Sequence, residues 1–170
     1  VLVSGLLLVG IPHGALDHLT EGLFAEKKVT IKFIFSYLGL MLPIFLVWYV
    51  FPTAGLLIFL LYSAWHFGQT DVKNWGFSNP LLAFGWGVSL LAFLFATHFN
   101  EFNYILSIIG VQPLLTVNDI DIWSYALLLW PTVVAMVYKK WNWLGLIAFL
   151  MLAQNLGLLV AFGLYFIFYH

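Results

Sequence analysis

The chain has 170 residues, of which 64% are hydrophobic and 8% are charged, with a formal net charge of -1 and no cysteine. A soluble domain is about a quarter charged, so this composition favours the lipid bilayer as the solvent. The charge excludes a basic nucleic-acid surface. The absence of cysteine excludes disulfides and cysteine-held metals, so any metal must be bound by His, Asp or Glu.

Apolar segments separated by short polar stretches follow one another along the chain. They cover residues 1–19, 31–51, 53–68, 81–97, 102–117, 122–138 and 143–169. Helices and closed barrels satisfy every backbone polar group in lipid, and these runs are too long and too unalternating for barrel strands. We therefore predict one all-α integral membrane domain over residues 1–170, a polytopic bundle of about six to seven apolar helices.

The first segment is predicted to be a transmembrane helix. Residues 1–16 lack the basic start and the Ala-x-Ala cleavage site of a signal peptide. Because the chain begins at Val1 and ends at His170 within apolar runs, we expect a fragment truncated at both ends.

The lysines predict the topology. They are the only basic residues, at positions 27, 28, 32, 73, 139 and 140. If every segment crosses the membrane, the last two lie opposite the other four. If segment 102–117 lies in the interface without crossing, all six fall on one side, as the positive-inside rule requires. We favour this multi-pass arrangement in the cell (inner or cytoplasmic) membrane, because 102–117 is the segment most interrupted by polar residues.

The final apolar run, 143–169, is predicted to be broken. Its centre, residues 154–157, reads Gln-Asn-Leu-Gly and is polar. This pattern predicts either two short antiparallel helices or a re-entrant pair, with the irregular backbone covered by protein.

With this topology, three helices each bring one histidine to the cytoplasmic side: His13, His66 and His170. Polar groups in apolar segments are costly and usually functional, so we predict a metal site there. His98 closes the fourth span on the opposite side and is predicted to be an interfacial or hydrogen-bonding residue. His18 lies about 140° around the helix from His13, so it is an additional ligand candidate only if that helix is distorted.

Two aspartates accompany the predicted ligands. Metal-bound imidazole usually donates its other N–H to a carboxylate or carbonyl, and Asp17 shares a helix face with His13. Asp71 follows His66 by five residues, just past Gly68, which is a candidate helix-terminal glycine. Asp71 therefore either folds back beneath His66 or faces water.

Histidine ligation without cysteine suits Zn, Cu, Mn or Fe. Most Trp and Tyr residues are predicted to form interface belts, whereas Trp65, Trp86 and Tyr165 are candidates for lining a lipophilic pocket. Oxidative attack on a substrate dissolved in the bilayer is the reaction class that fits best. The alternative is a transporter or channel that uses buried His and Asp as a proton or metal relay, which metal analysis would distinguish.

Three motifs in this order resemble those of the bacterial and archaeal Brp/Blh-type β-carotene 15,15'-dioxygenases. Residues 10–18, Gly-Ile-Pro-His-Gly-Ala-Leu-Asp-His, look like the opening motif of that family. Residues 66–71, His-Phe-Gly-Gln-Thr-Asp, match the second motif, a His-Phe followed by Asp. Residues 162–170 are similar to an aromatic helix that ends in His-Ser-x-x-His, and they stop at its first histidine.

The resemblance implies cleavage of the central double bond of β-carotene by O2 to two retinals, at Fe(2+) held by His13, His66 and His170. It also implies a fourth histidine four residues beyond His170. Asp17 and Asp71 would orient the ligands. The expected partners are the lipid bilayer, β-carotene and O2, with a functional link to a retinal-binding rhodopsin.

Overall fold

The structure, a computed structural model, describes residues 46–112 and 120–169. The chain divides into two compact units, Val1–Phe51 and Pro52–His170. Of the first unit, residues 46–50 are helical. The predictions that concern His13, Asp17, His18 and His170 lie outside the described residues.

The described part of the second unit is entirely helical, which confirms the predicted all-α class. Its helices in chain order are α1 (Pro52–Asn74), α2 (Pro80–Thr97), α3 (Phe99–Ile108), α4 (Ile120–Val137), α5 (Trp141–Ala153) and α6 (Leu158–Phe168). Helix α2 is the one described helix that is long and apolar enough to cross a membrane, while α5 and α6 are shorter apolar helices.

Helix α1 continues past the predicted segment 53–68, and Gly76 rather than Gly68 follows its end. Gly76 has a φ of +82°. Its N–H donates to the Lys73 carbonyl at 2.9 Å, and the Phe77 N–H donates to the Val72 carbonyl at 3.0 Å. These two bonds form a Schellman motif, in which glycine is favoured because it adopts the left-handed conformation without strain. The assignment of Gly68 as a helix-terminal glycine is therefore wrong.

Gly68 instead permits close packing of α1 against α2. A Cβ atom at Gly68 would collide with the backbone carbonyl of Ala83, and one at Gly87 would collide with the carbonyl of Ala64. Small residues on both helices thus let the two backbones touch, a common way for helices to associate in membranes. This contact fixes the α1 segment that carries His66 against the core.

Helix α2 begins at a well-defined cap. The Asn79 side-chain oxygen accepts hydrogen bonds from the backbone N–H groups of Leu81 and Leu82 at 2.9 and 3.1 Å. Asparagine at the N-cap and proline at the first helical position, here Pro80, are both favoured because they satisfy or remove orphan donors. The loop between α1 and α2 is therefore set by its local sequence at both ends, by Gly76 after α1 and by Asn79 and Pro80 at the start of α2.

Helix α3 is too short to cross a bilayer. Its 10 residues rise about 15 Å, roughly half of the hydrocarbon thickness of about 30 Å. The helix ends before Gly110, whose φ is +75°, and the Val111 N–H closes the turn on the Leu106 carbonyl at 2.9 Å. The length of α3 is consistent with a segment that does not cross.

The last apolar run is broken between Ala153 and Leu158, as the sequence predicts. Helix α5 has 13 residues and α6 has 11. The rings of Phe149, in α5, and Tyr169, just after α6, lie 5.2 Å apart. The start of α5 and the end of α6 also line one pocket. The two helices are therefore antiparallel.

An aromatic cluster joins α1, α2 and α5 in the core. The indole rings of Trp75 and Trp143 stack at 4.3 Å, and Trp86 meets both of them edge-on at 5.4 and 5.5 Å. Helix α4 also packs on α2, where the Trp130 indole N–H donates to the Ser89 hydroxyl at 2.8 Å. The core thus lies around α2, against which both α1 and α4 pack.

Candidate functional site

His66 lies on α1, half-buried between aromatic rings. The Tyr62 ring, one helical turn earlier, is parallel to the imidazole at a centroid distance of 6.5 Å. The Phe67 ring lies 5.8 Å from the imidazole, tilted by 54°. The helical spacing of four residues places Tyr62 and His66 on one face. The imidazole therefore lies among aromatic neighbours rather than projecting into open solvent.

Asp71 lies on another face of α1 and is 2% exposed. It is about 140° around the helix from His66, because five residues separate them. Its Oδ2 atom accepts a hydrogen bond from the Trp86 indole N–H at 2.8 Å and another from the Tyr165 hydroxyl at 2.9 Å. Of the two alternatives for Asp71, the one in which it faces water is wrong, and one carboxyl oxygen instead joins α1, α2 and α6.

Burial decides the electrostatics of Asp71, which lies beyond the predicted apolar segment 53–68. Burial removes water from its carboxyl group, and the hydrogen bonds from Trp86 and Tyr165 take the place of that water. Desolvation disfavours the charged form, whereas donors aimed at the carboxylate favour it. The two donors thus offset part of the cost of placing an acid in the core.

The aromatic residues predicted to line a pocket have different positions in the structure. Trp86 and Tyr165 are both 0% exposed, and each uses its polar atom to bind Asp71. The Tyr165 ring also meets the Phe67 ring edge-on at 5.8 Å. Trp65 is half-buried on α1. Contact of these three side chains with a substrate stays a prediction, and the core contacts give Trp86 and Tyr165 a defined role without it.

A pocket of about 440 Å³ opens beside Asp71. Asn74 and Trp75 from the end of α1 contribute to its wall, as do Asn142 from α5 and Phe168 from α6. Its volume lies within the range of about 300–1,000 Å³ that is usual for small-molecule sites. The wall mixes side-chain amides with aromatic rings and the Asp71 carboxyl group.

His98 lies outside this site, as the sequence predicts. It separates α2 from α3 and is 6% exposed. Its Nδ1 atom is 2.8 Å from the Leu94 carbonyl oxygen, and its Nε2 atom is 2.9 Å from the Leu156 carbonyl oxygen. Both ring nitrogens therefore face backbone acceptors. His98 lies about 18 Å further along α2 than Trp86, given the helical rise per residue.

Sequence reasoning missed the residues that hold the break between α5 and α6. The Glu101 carboxylate accepts a hydrogen bond from the Leu158 N–H at 2.7 Å, and the Tyr125 hydroxyl donates to the Gln154 side-chain oxygen at 2.7 Å. An acidic group at a helix N-terminus is favoured by the helix dipole. One signal for this partner is present in the sequence. A predicted break leaves the backbone N–H groups at the start of the next helix without acceptors, and an acid in an apolar chain is a candidate acceptor.

The described residues contain no group of three or more His, Cys, Asp or Glu side chains that could hold a metal ion. Among the predicted ligands, His66 is the one within this range. The half-buried imidazole between Tyr62 and Phe67 is of the donor type that suits iron, copper or zinc. His98 does not suit this role, since both of its nitrogens face carbonyl oxygens.

Comparison with known proteins defines the class. The family model described as Beta-carotene 15,15'-dioxygenase matches residues 4–170, and the chain therefore belongs to this family of carotenoid-cleaving dioxygenases. The chain is also 39% identical over 69 residues to the Beta-carotene 15,15'-dioxygenase of Uncultured marine bacterium 66A03. That stretch covers 38% of this chain and 25% of the relative, so the chain matches about a quarter of the relative's length. No solved structure matches.

Proposed function

We propose that this chain is part of an integral membrane enzyme that cleaves the central double bond of β-carotene with O2 to give two molecules of retinal. The observation that carries the proposal is the family match over residues 4–170. The name of the bacterial relative, a Beta-carotene 15,15'-dioxygenase, points to the same substrate. Retinal would then serve a retinal-binding rhodopsin, the proposed functional link.

The proposal places the enzyme in the cytoplasmic membrane as a multi-pass protein. Apolar side chains on α1 support lipid contact: Ile58, Phe59 and Leu61 are each more than half exposed. Large exposed apolar patches mark interaction or membrane surfaces. Helix α2 is long and apolar enough to cross a bilayer. The antiparallel α5–α6 pair would enter to the depth of His98 and return, because its break contacts His98 and Glu101.

The arrangement of the lysines supports one cytoplasmic end. The Lys140 amino group lies 5.0 Å above the Phe77 ring, and Phe77 follows the end of α1, which carries Lys73. These lysines therefore lie at one end of the second unit, together with Asp71 and the end of α6. Under the positive-inside rule this end is cytoplasmic, and the proposed metal site lies toward it.

His13, His66 and His170 are the residues that we propose hold Fe(2+). The position of His66 fits this role, because its ring lies between Tyr62 and Phe67 without burial in the core. Iron held by neutral imidazoles would supply activation of O2. Asp17 would accept the other N–H of His13 and orient its ring, and His18 is a further ligand candidate.

The side chains of this chain would bind the polyene and exclude water. Cleavage breaks the central carbon–carbon double bond, and each of the two carbons gains one oxygen atom of O2, so that two aldehydes form and the atoms balance. Aromatic walls beside His66 would align the double bond, since orientation of reactants supplies much of enzymatic rate acceleration. A largely apolar surround would protect the reacting centre from side reactions with water.

The experiment is expression of the full-length protein in a host that makes β-carotene, with retinal measured by chromatography. We expect His66→Ala to lower the retinal yield about 100-fold or more, because loss of a metal ligand removes the activated site. Gln69→Ala is the matched control, because Gln69 is exposed on the same helix. An unchanged yield in His66→Ala contradicts the assignment of His66 as a ligand.

Metal analysis decides between the enzyme and a relay-type transporter. The enzyme requires iron in a fixed ratio to the purified full-length protein and a loss of that iron in His66→Ala. Full-length protein that forms no retinal and binds no iron would favour the transporter, in which buried acids and histidines pass protons.

A further inference from the structure

Three helices are connected by hydrogen bonds to one carboxyl oxygen atom. Asp71 Oδ2, on α1, accepts hydrogen bonds from the Trp86 indole N–H of α2 and from the Tyr165 hydroxyl of α6. All three side chains are buried, with exposed fractions of 2%, 0% and 0%. The contact between Asp71 and Tyr165 spans 94 residues of sequence. We call this group the Asp71 cluster.

We propose that Asp71 is a positioning residue, whose carboxyl oxygen fixes the end of α6 beside α1 through Tyr165. Its role is to accept two hydrogen bonds, and its charge is not required. The inference rests on the proposed function, because α1 carries His66 and α6 leads directly to the proposed ligand His170. A change in the relative position of the two helices would then misplace one proposed ligand relative to another.

Helix α6 needs such an anchor. It is only 11 residues long, and its start is held by Glu101 through the Leu158 N–H. In lipid there is little hydrophobic drive to pack one apolar helix on another, so polar contacts and close packing decide the position. Tyr165 lies seven residues after Leu158, about 10 Å further along α6. The helix is thus tied at its start and again near its end.

The geometry of the cluster is restrictive. Both donors are fully buried, so a lost acceptor would leave an indole N–H or a phenol O–H without water to replace it. Tyr165 is further restricted by the edge of the Phe67 ring at 5.8 Å, and Phe67 is adjacent to His66. Displacement of α6 along its axis would therefore break the hydrogen bond to Asp71 and disturb the ring next to His66.

The first test separates the acceptor role from the charge. The side-chain amide oxygen of Asp71→Asn can accept both hydrogen bonds, whereas Asp71→Leu accepts none. We expect Asp71→Asn to keep at least about a third of the retinal-forming kcat, and Asp71→Leu to lose about 10-fold to 100-fold, the size expected when reacting groups are misplaced by about 1 Å. Equal losses in the two variants would overturn the proposal, because the charge would then be what matters.

The second test removes the Tyr165 hydroxyl near the end of α6 and, as a control, the Tyr125 hydroxyl that contacts the break between α5 and α6. Tyr165→Phe deletes the bond to Asp71 and keeps the ring, while Tyr125→Phe deletes a hydroxyl bond to Gln154 at the other end. We expect Tyr165→Phe to lower kcat about 10-fold with KM for β-carotene unchanged within about two-fold, because positioning acts on the reacting geometry. We expect Tyr125→Phe to leave kcat within about two-fold. Similar effects of both variants would contradict a specific role of the cluster.

The third test does not depend on activity. The chain has no cysteine, so Gln69→Cys and Ile167→Cys introduce two sites for spin labels in the full-length protein once any cysteine outside these 170 residues is replaced by serine, and both native side chains are exposed. Double electron–electron resonance then measures the distance between α1 and the end of α6. We expect one narrow distance distribution in the otherwise native protein and in Asp71→Asn, and a shifted or broadened one in Tyr165→Phe and Asp71→Leu.

The outcomes of the two proposals are separable. Unchanged distances in Tyr165→Phe and Asp71→Leu would overturn the positioning role, whatever the activity. If the native full-length protein forms no retinal, the proposed function fails, and the distance measurement still decides whether Asp71 fixes α6. Tyr165→Phe keeps the buried ring, so the test remains available if Asp71→Leu does not fold.

Discussion

Lys139 has a left-handed backbone conformation, with a φ of 53°, although it is not a glycine. It follows α4, where the Lys139 N–H donates to the Met136 carbonyl at 3.1 Å and the Lys140 N–H donates to the Ala135 carbonyl at 2.8 Å. This is the hydrogen-bond pattern in which glycine is the preferred residue. The left-handed conformation is therefore strained for a lysine. The positive charge of Lys139 instead favours the cytoplasmic side for this turn, as the proposed topology requires.

Lys139→Gly is expected to raise the free energy of unfolding by about 1 kcal/mol, because a left-handed conformation costs a residue with a side chain about that much. Denaturant unfolding of the detergent-solubilised protein measures the change. Lys73→Gly is the matched control: Lys73 lies in the last turn of α1, where glycine is expected to lower stability by up to about 1 kcal/mol. Destabilisation by Lys139→Gly would contradict this account of the turn.

The residue scale also shows why sequence alone did not identify the partners of Asp71. The donors that bind its carboxyl group come from residues 15 and 94 positions away. Local spacing relates Asp71 to His66 and Gly68, and it carries no information on a tyrosine of the last helix. An acid in an apolar chain predicts that partners exist, but it does not identify them.

At the scale of elements, the contact between α1 and α2 depends on glycines. Gly68→Ala is expected to lower the free energy of unfolding by about 1–3 kcal/mol, the usual cost of inserting a methyl group into a packed contact. The reason is that the new Cβ atom would meet the Ala83 backbone, which cannot move without separating the helices. Thermal unfolding in detergent measures the effect.

Gly145→Ala provides the control for that prediction. Gly145 is also helical, in α5, and a Cβ atom there would meet nothing within 4 Å. Alanine is the better helix former by about 1 kcal/mol, so we expect unchanged or raised stability. Equal destabilisation by both substitutions would show that the close approach of α1 and α2 does not require Gly68.

The break between α5 and α6 is the element that the sequence predicted best, from the polar centre at residues 154–157. The sequence did not predict which side chains bind the backbone groups at this break. Glu101 binds the first N–H of α6, and His98 binds the Leu156 carbonyl. Gly68 was misassigned for a related reason, since a glycine in a helical pattern marks either a helix end or a close contact and only tertiary packing decides between them.

Glu101→Ala is expected to lower the free energy of unfolding by about 1–2 kcal/mol, because it removes a cap from the N-terminus of α6. Glu101→Gln keeps an acceptor oxygen and is expected to lose less. Asn100→Ala, at a neighbouring exposed position, is the control for substitutions in the first turn of α3. A stability equal to the native value in Glu101→Ala would contradict the capping role.

At the scale of the whole molecule, the positions of the six lysines along the sequence predict the topology. The short α3 gives that topology a structural basis, because its 10 residues do not reach across about 30 Å of hydrocarbon. The broken last run fits it too, because the break contacts His98 and Glu101 at the far end of α2 and α6 then returns. The contact of Lys140 with Phe77 places two lysine-bearing loops at the same end of the second unit. The membrane side of that end follows from the charge rule alone.

Labelling of single cysteines tests the topology, since the chain has none of its own. Cysteines that replace Lys73 and Lys139 are expected to react with a membrane-impermeant maleimide only from the cytoplasmic side. A cysteine that replaces Asn100, which is exposed near His98, is expected to react only from the opposite side. Labelling of positions 73 and 139 from different sides would contradict a non-crossing α3 segment.

The main proposal is that this chain is part of an enzyme that cleaves the central double bond of β-carotene with O2. The most direct measurement is the product ratio of the purified full-length protein, supplied with β-carotene and O2 in detergent. We predict retinal as the product, with two molecules formed for each β-carotene consumed. Two aldehydes of unequal length, or consumption of β-carotene without retinal, would contradict it.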